Sequence, residues 1–459
     1  MRVVLLGKSS KLDTRAFRES IFMSQKRPST WGNPDHRRQT QLPAPPIAQI
    51  EQQLFSLLNP GSFKPLRLAQ GEKKLRDRLL TLPVMIAVVV SLVYRQIPGL
   101  SEILRVLESE GLLWVEPLSV SKQAISKRLR TLPACLFAQV FEQVMQRMQS
   151  KKTGLPIPEG WELLQQNFTA LWIADGSTLE ALRRKLKVLK DQTTALGGKM
   201  MMVVEAFNHR PVATWYTEKA TANDKTFADD LLARLPVGGL LIFDLGFFDF
   251  VWFDAFTNAN KFFVTRLRRK TAYKVSRCLS QAQYYRDEII QMGQYRSNPC
   301  KHPVRLVSVL WGKTWYYYLT NVLDPQLLSA QQVCELYRRR WRVEEAFLLT
   351  KRLLGLAYLW VGGTNGVQIQ IFATWIFYAV LNDLCSQVAV ALNQPKERIS
   401  VEMVFRGLYH FARAVMRSES TDVVTYLVAH YQLLGLVKAE RKRHRENAAR
   451  SSQIWASSG

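Results

Sequence analysis

The chain has 459 residues, and its 47% hydrophobic and 11% aromatic content exclude a long disordered protein. Lysine and arginine total 63 against 37 acidic residues, and the resulting net charge of +26 favours a polyanionic partner such as nucleic acid. The five cysteines form no CxxC pair, which argues against a disulfide framework and a cysteine zinc site and favours a reducing compartment.

The first 150 residues divide into a basic arm and a helical segment. Residues 1–46 are basic and rich in Ser, Pro and Gln, which predicts a flexible arm. Residues 47–150 show helical periodicity broken by prolines, which predicts an all-helical DNA-binding domain. The apolar stretch Leu79–Tyr94 contains Pro83 and is shorter than the ~20 residues of a spanning helix, so we expect a core helix and no membrane partner.

A short basic helix is predicted within this domain. The sequence from Ser119 to Leu129 resembles the second half of a helix-turn-helix, and Ser119 or Ser121 is placed to cap it. The cations that its polar face would present to DNA include Lys122, Lys127 and Arg128. The alternative is a surface helix whose charges face water.

The periodicity changes after residue 160 and predicts alternating strands and helices. Strands are predicted at 170–174, 199–207, 211–217, 239–243 and 261–267, and helical segments at 223–235 and 250–256. The order strand, strand, strand, helix, strand, helix, strand is the connectivity of an RNase H-like fold, a mixed sheet flanked by helices. We assign residues 160–270 and 326–385 to this α/β catalytic core.

Residues 271–325 predict a β-rich insertion inside that core. The run VRLVSVLWGKTWYYYLTNV reads as a hairpin that turns at Gly312 and Lys313. Helical periodicity returns after this insertion, and residues 386–459 are predicted to form a helical C-terminal region with a basic tail. The expected fold is therefore an RNase H-like core with a β-rich insertion, preceded by an all-helical domain and followed by a helical region.

Asp175 and Asp244 each follow a predicted apolar strand. The first and fourth strands are neighbours in an RNase H-like sheet, so both carboxylates would emerge at one edge. Phosphodiester cleavage by two hard divalent cations needs oxygen ligands arranged in this way. Taken singly, either aspartate is explained as well by capping of the following helix. The basic run at 183–190, after the first aspartate, is expected to lie near DNA, and the alternative is an ordinary solvated loop.

The predicted helix SAQQVCELYRRRWRVEEAFLLTKRLL supplies a third carboxylate. At ~100° per residue, one face of this helix presents Tyr337, Arg340, Glu344 and Lys351. Glu345 points about 100° away from Glu344. The shared face offers a metal ligand flanked by groups that bind phosphate. The alternative is an ordinary charged face with i,i+4 ion pairs.

The spacing Tyr-x2-Arg-x3-Glu-x6-Lys, which those four residues match without a gap, resembles the signature of DDE transposases of the insertion sequence 4 family. The segments IADGST around Asp175 and IFDLGFFDF around Asp244 resemble the two aspartate regions of that family. The predicted β-rich insertion also precedes the signature helix in the expected order. The resemblance covers about residues 165–385.

The resemblance implies that Asp175, Asp244 and Glu344 are the catalytic residues and bind two Mg²⁺ ions, for which Mn²⁺ can substitute. The signature residues that would contact DNA backbone phosphates near the cut are Arg340, Lys351 and Tyr337. Some family members excise DNA through a hairpin intermediate, in which a tryptophan of the β insertion stacks on a flipped base.

Three tryptophans lie in or near these segments. Trp311 and Trp315 bracket the tip of the predicted hairpin and are the candidates for base stacking and DNA binding. Core packing is the expected role of at least one of them. Trp341, which follows Arg340, is also predicted to pack in the core.

Together these predictions indicate a transposase that cuts DNA at the inverted-repeat ends of an insertion sequence and joins the 3′-OH to target DNA. The implied partners are double-stranded DNA, at the element ends and the target, and a second copy of the chain in a synaptic complex at the bacterial nucleoid in the cytoplasm. One alternative is an inactive DNA-binding inhibitor of transposition, against which the three carboxylates argue. Another is an RNase H-like nuclease, against which the Tyr-Arg-Glu-Lys face argues.

Overall fold

A computed structural model describes residues 48–63, 79–149, 154–155, 157, 161–179, 198–356, 359–360, 363–439, 451 and 454–455. The predicted basic arm, residues 1–46, and the basic run at 183–190 lie outside these ranges. So does the basic stretch of the predicted C-terminal tail at 441–445.

Helices make up the described segments before the sheet. They are α1 (Ala48–Leu57), α2 (Leu82–Tyr94), α3 (Leu100–Ser109), α4 (Lys122–Thr131), α5 (Ala134–Gln149) and α6 (Glu162–Asn167). Nearly every side chain of α2 is buried, and Pro83 lies in its first turn, where the missing N–H disrupts no helical hydrogen bond. The prediction of a core helix here is confirmed. Helix α4 begins where predicted, because the Ser121 side chain accepts a hydrogen bond from the Ala124 amide at 3.1 Å.

The strands of the central sheet are β1 (Leu171–Thr178), β2 (Lys199–Glu205), β3 (Pro211–Thr217), β4 (Leu240–Ile242), β5 (Phe262–Arg266), β6 (Tyr273–Gln281), β7 (Tyr285–Met292), β8 (Val304–Trp311) and β9 (Thr314–Thr320). Their spatial order is β3-β2-β1-β4-β5-β9-β8-β7-β6. β1 pairs in parallel with β4, and β4 with β5, whereas the remaining pairs are antiparallel. The result is a mixed α/β architecture around one large sheet.

The strands between residues 273 and 320 lie within the range where the sequence predicted a β-rich insertion. The hairpin of β8 and β9 turns at Gly312 and Lys313, as predicted. β6 and β7 were not located individually from the sequence, because β6 is largely exposed and lacks a clean apolar alternation. All four strands continue the central sheet, since β9 pairs with β5.

Two apolar clusters cover the two faces of the sheet. One contains the alternate residues Leu171, Ile173 and Ile242, packed with the long helices on that side. The other contains Ala174, Leu241 and a group of stacked aromatic rings around the helix α8 (Phe250–Asn258) and the shorter α7 (Ala228–Arg234). Because side chains alternate along a strand, each β1 residue is assigned to one face by its position.

The helices after the sheet are α9 (Ala330–Arg339), α10 (Trp341–Leu348), α11 (Thr364–Ala391), α12 (Val401–Met416) and α13 (Val423–Ala429). α9 and α10 do not form the single regular helix that the sequence predicted. The chain turns at Arg340, and a π-helical turn, Leu349–Leu353, follows α10. α11 is apolar and long enough to cross a membrane, but 89% of its most apolar window is buried inside the protein, as expected for a core helix.

Candidate active site

Asp175 and Asp244 lie level with each other on neighbouring parallel strands. Ile173 of β1 pairs with Ile242 of β4, and each aspartate follows its isoleucine by two residues. Both residues therefore lie at the same end of these strands, where the charge of Asp244 acts on Asp175. The sequence placed Asp175 just after its strand, whereas the structure places it inside β1, paired with Met202 of β2.

Backbone amides orient both carboxylates. Gly176 donates its amide to Asp175 Oδ1 at 3.0 Å, and Gly246 donates to Asp244 Oδ1 at 2.8 Å. Asp244 thereby caps the 3₁₀ turn Leu245–Phe247, so the capping role considered from the sequence is present at this residue. The remaining oxygen of Asp175 faces the signature helices.

Arg340 joins the helices to the strand. Its Nη1 donates to Asp175 Oδ2 at 2.8 Å, and its Nη2 donates to Glu344 Oε1 at 3.4 Å. The side chain is buried, and its Nε has no hydrogen-bond acceptor among the described residues. The turn between α9 and α10 places this guanidinium over the end of β1, so the first aspartate and the glutamate are linked through one cation.

The other two signature residues, Tyr337 and Lys351, have different surroundings. Tyr337 is buried, its ring lies 5.3 Å from that of Tyr318, and burial raises its pKa. Lys351 lies in the π-helical turn, and its Nζ donates to Ser177 Oγ at 2.5 Å and to the Thr178 carbonyl at 2.6 Å. The lysine therefore reaches the strand that carries the first aspartate, whereas the phenol packs into the protein.

The charges of the site act on one another. Burial raises the pKa of Asp175 to about 7, and the charges of Asp244, Glu344 and Asp224 add to this, whereas Arg340 opposes it. Burial also raises the pKa of Glu344, as does the charge of Asp244, again against Arg340. These carboxylates are thus close enough to repel one another, as expected where several acids converge.

The donor atoms of the site suit a divalent cation. Carboxylate oxygens are the ligands that Mg²⁺ and Mn²⁺ prefer, and bound charge would relieve the repulsion that raises these pKa values. Across the described ranges, no three Asp, Glu, His or Cys side chains are grouped closely enough to hold a metal ion as they stand. Arg340 lies between Asp175 and Glu344 instead. The carboxylates of Asp175, Asp244 and Glu344 are therefore the type of ligand that such a cation prefers.

Asp224 is a fourth carboxylate of this site, which reasoning from the sequence missed. It begins the 3₁₀ turn Asp224–Phe227 before α7 and forms an ion pair with Lys199 of β2 at 2.7 Å. Neither its spacing nor a strand boundary distinguishes it in the sequence. Only the pairing of β1 with β2 and the approach of the loop after β3 bring it to the two aspartates.

The tryptophans differ from one another in exposure. Trp311 is partly buried against the core, with the Arg338 guanidinium 4.7 Å above its ring. Trp315 lies on the opposite face of the hairpin, 5.5 Å from the guanidinium of Arg286. Trp341 was predicted to be in the core, but 61% of it is exposed.

The predicted DNA-binding cations of α4 differ in their exposure to solvent. Lys122 and Lys127 are exposed, whereas Arg128 is partly buried and donates from Nε to the Leu80 carbonyl at 2.9 Å. Ile125 and Leu129 fix the helix by packing into the core. Arg130, which the sequence pattern did not single out, is exposed on the same helix. DNA contact by this helix stays a prediction.

Part of the chain is similar to a known protein domain. Residues 173–379 match the sequence model of the transposase DDE domain, and this range contains the two strand aspartates and the whole signature segment. The segment that carries both aspartates and the signature residues is therefore similar to the transposase DDE domain.

Individual relatives agree with this similarity. The chain is 27% identical over 207 residues to a protein of Sinorhizobium fredii named as a transposase, y4zB, covering 43% of this chain and 55% of that one. It is 27% identical over 177 residues to a protein of Geobacillus stearothermophilus named as a transposase for insertion sequence element IS5377, covering 37% and 45%. The chain thus spans about half the length of the relatives it matches.

A solved structure also matches over most of the chain. It is a cryo-EM structure of a piggyBac transposase synaptic complex with hairpin DNA, with a TM-score of 0.35, 11% identity and 86% coverage of both chains.

Proposed function

We propose that this protein is a transposase that cuts DNA at the ends of an insertion sequence and joins the 3′-OH to target DNA. The observation that carries the proposal is that Arg340 pairs with both Asp175 and Glu344 at the end of the parallel strands where Asp244 also lies. The match of residues 173–379 to the transposase DDE domain supports it.

We further propose that the core is RNase H-like and that the chain belongs with the insertion sequence 4 transposases. In support of the first point, β1, β2 and β3 are antiparallel neighbours, and β4 and β5 continue in parallel on the other side of β1. In support of the second, Tyr337, Arg340, Glu344 and Lys351 keep the signature spacing. The arginine and the lysine reach the end of β1.

Each charged residue of the site has a role in the proposed reaction. Mg²⁺ or Mn²⁺ held by Asp175, Asp244 and Glu344 would activate the attacking oxygen and stabilise the leaving oxygen of the phosphodiester. The Arg340 guanidinium, which donates to Asp175 and Glu344, would supply positive charge that favours a phosphate oxygen at the site. Lys351 places a positive charge beside β1, where it favours an anionic backbone.

A basic surface formed by the loop after β5, the edge strand β6 and the segments that follow it supports DNA as the partner. Eight cations are exposed between residues 268 and 301, all of which the structure describes, and this range contains no exposed acid. Several of these cations lie on the loop after β5 and on the edge strand β6. β5 is parallel to β4, so the loop begins at the same edge of the sheet as Asp244. A second copy of the chain, bridging two DNA ends, completes the proposed complex.

The DNA surface is tested by measuring how affinity depends on salt. Reversing Lys274 and Arg277 to Glu should reduce the slope of log affinity against log salt by about 0.9 for each phosphate that the protein no longer neutralises. An unchanged slope would remove β6 from the DNA surface. Light scattering of the complex with end DNA would report two chains if the proposed dimer forms.

The enzymatic assignment is tested by Glu344→Gln in the full chain. The substrate is the DNA that flanks the reading frame, with its inverted repeats, in the presence of Mg²⁺ or Mn²⁺. Cleavage and joining should fall by more than about 100-fold, because even groups that only support a metal ligand contribute 10- to 100-fold. DNA binding should persist.

Glu345→Gln is the matched control. Glu345 is the adjacent residue, but it forms ion pairs with Lys438 at 2.6 Å and Arg342 at 3.4 Å, away from the aspartates. This variant should cleave DNA like the wild type. Full cleavage by Glu344→Gln would exclude the assignment. Binding without metal-dependent cleavage by the wild type would favour an inhibitor, and cleavage without preference for the repeats would favour a nuclease.

A further inference from the structure

Asp224 packs against the backbone of both aspartate segments. A methyl group added to Gly246 would lie 2.6 Å from Asp224 Oδ2 and 2.9 Å from Asp244 Oδ1. A methyl group added to Gly176 would clash with Asp224 Oδ1 and lie 3.0 Å from its Cγ. The Asp224 carboxylate thus fills the space that the missing side chains of these two glycines leave, and this explains why glycine stands beside each aspartate.

Lys199 holds Asp224 in this position. Its Nζ lies 2.7 Å from Asp224 Oδ1 and donates to the Ala222 carbonyl at 2.9 Å, and both side chains are mostly buried. Lys199 lies at the start of β2, where its partner in β1 is Thr178. The ion pair therefore ties the loop after β3 to the strand that carries Asp175.

We propose that Asp224 is a positioning residue of the candidate active site. Its carboxylate lies between Gly176 and Gly246 and so sets the distance between the two segments. These segments carry Asp175 and Asp244, which would bind the divalent cation. The inference rests on the proposed function, because the spacing matters only if those carboxylates bind a cation together. It assigns to Asp224 a steric role between the segments and not a role as a ligand.

The test is Mn²⁺ binding to the full chain without DNA, followed by electron paramagnetic resonance, with thermal unfolding recorded for each variant. Asp224→Ala should weaken Mn²⁺ binding at least about tenfold, the range seen when a metal ligand is deprived of its supporting group. Gly176→Ala should weaken binding similarly, because its methyl group must displace the carboxylate. Combining the two changes should weaken binding no further, since the carboxylate is then already absent from between the segments.

Two comparisons separate positioning from other effects. Asp224→Asn keeps the shape of this side chain and an Oδ1 that can accept a hydrogen bond from Lys199, so it should retain most of the affinity. A loss as large as that of Asp224→Ala would indicate a charge effect and overturn the proposal. Asp249→Ala removes a similar ion pair, with Lys225 at 2.8 Å, from the adjacent turn. It should leave Mn²⁺ binding unchanged, and a loss equal to that of Asp224→Ala would overturn the proposal.

The remaining outcomes are equally decisive. Wild-type Mn²⁺ affinity in Asp224→Ala would refute the positioning role of Asp224 and leave the proposed metal centre standing. Additive effects in the double variant would do the same. If Asp224→Ala does not fold, Gly176→Ala decides by itself, and wild-type affinity in that variant refutes the positioning role. If the wild type binds Mn²⁺ no better than Glu344→Gln, the metal centre of the proposed function fails together with this inference.

Discussion

Replacing Asp175 with Asn removes a buried carboxylate whose ionisation the folded chain opposes. Only 8% of Asp175 is exposed, and burial raises its pKa to about 7. The protonated form is therefore favoured in the folded state. Its stabilising effect is complete below the pKa of the unfolded chain, near 4, and is lost as the pH rises towards 7. Asn is neutral throughout and shows no such loss.

The size of the effect follows from the shift. Each pKa unit corresponds to about 1.4 kcal/mol, and about two units of the shift lie between pH 5 and the folded value. The free energy of unfolding of Asp175→Asn, relative to the wild type, should therefore rise by about 3 kcal/mol between pH 5 and pH 8. Urea unfolding of the metal-free chain, with a chelator present, measures this difference. The pairing of Arg340 with the ionised carboxylate adds nothing further to this difference, because it already acts on the pKa of Asp175, which it lowers against burial.

Asp249→Asn provides the control. Burial acts to raise the pKa of Asp249, but its hydrogen bond and ion pair with Lys225 outweigh burial and lower the pKa. Its stabilising effect is lost only below the usual carboxyl pKa, so the difference from the wild type should be the same at pH 5 and pH 8. If Asp175→Asn also shows no change between the two pH values, Asp175 is not the buried, charge-crowded group that the structure shows.

Two further predictions concern the rest of the chain. Asp287→Ala should lower the free energy of unfolding by about 3–5 kcal/mol in urea, because it leaves the fully buried Arg305 without its partner at 2.6 Å. A thiol reagent at pH 8 should modify the exposed Cys278 and Cys135 in the native protein but not Cys300, since burial raises the pKa of that thiol to about 12. Modification of Cys300 at the rate seen for Cys278 would contradict that burial.

Much of the strand pattern was predictable because it depends on local sequence. β3 was predicted with its observed bounds, and β2, β4 and β5 to within two residues at each end. Short apolar runs ended by Asp or Gly are strong local signals. β6 was not located because its side chains are mostly exposed, so no apolar period marks it. The position of β6 depends on pairing with β7.

The signature helix shows where local reasoning fails. A uniform 100° per residue predicted one face for Tyr337, Arg340 and Lys351, but a turn and a π-helical segment change the rotation along the chain. Tyr337 is buried, whereas Trp341 is exposed and not in the core. Tyr337 packs against Tyr318 of β9, and the periodicity of the sequence does not indicate such a contact.

By itself the sequence determined which residues are proposed to carry the chemistry, because the signature spacing and the aspartates after apolar runs can be recognised from the order of residues alone. The tertiary structure alone decided that Ile173 aligns with Ile242 and that Arg340 links Asp175 to Glu344. It also decided that Asp224 enters the site between two glycines. These contacts join segments far apart in the chain, and their positions follow from strand pairing and packing, which local propensity does not specify.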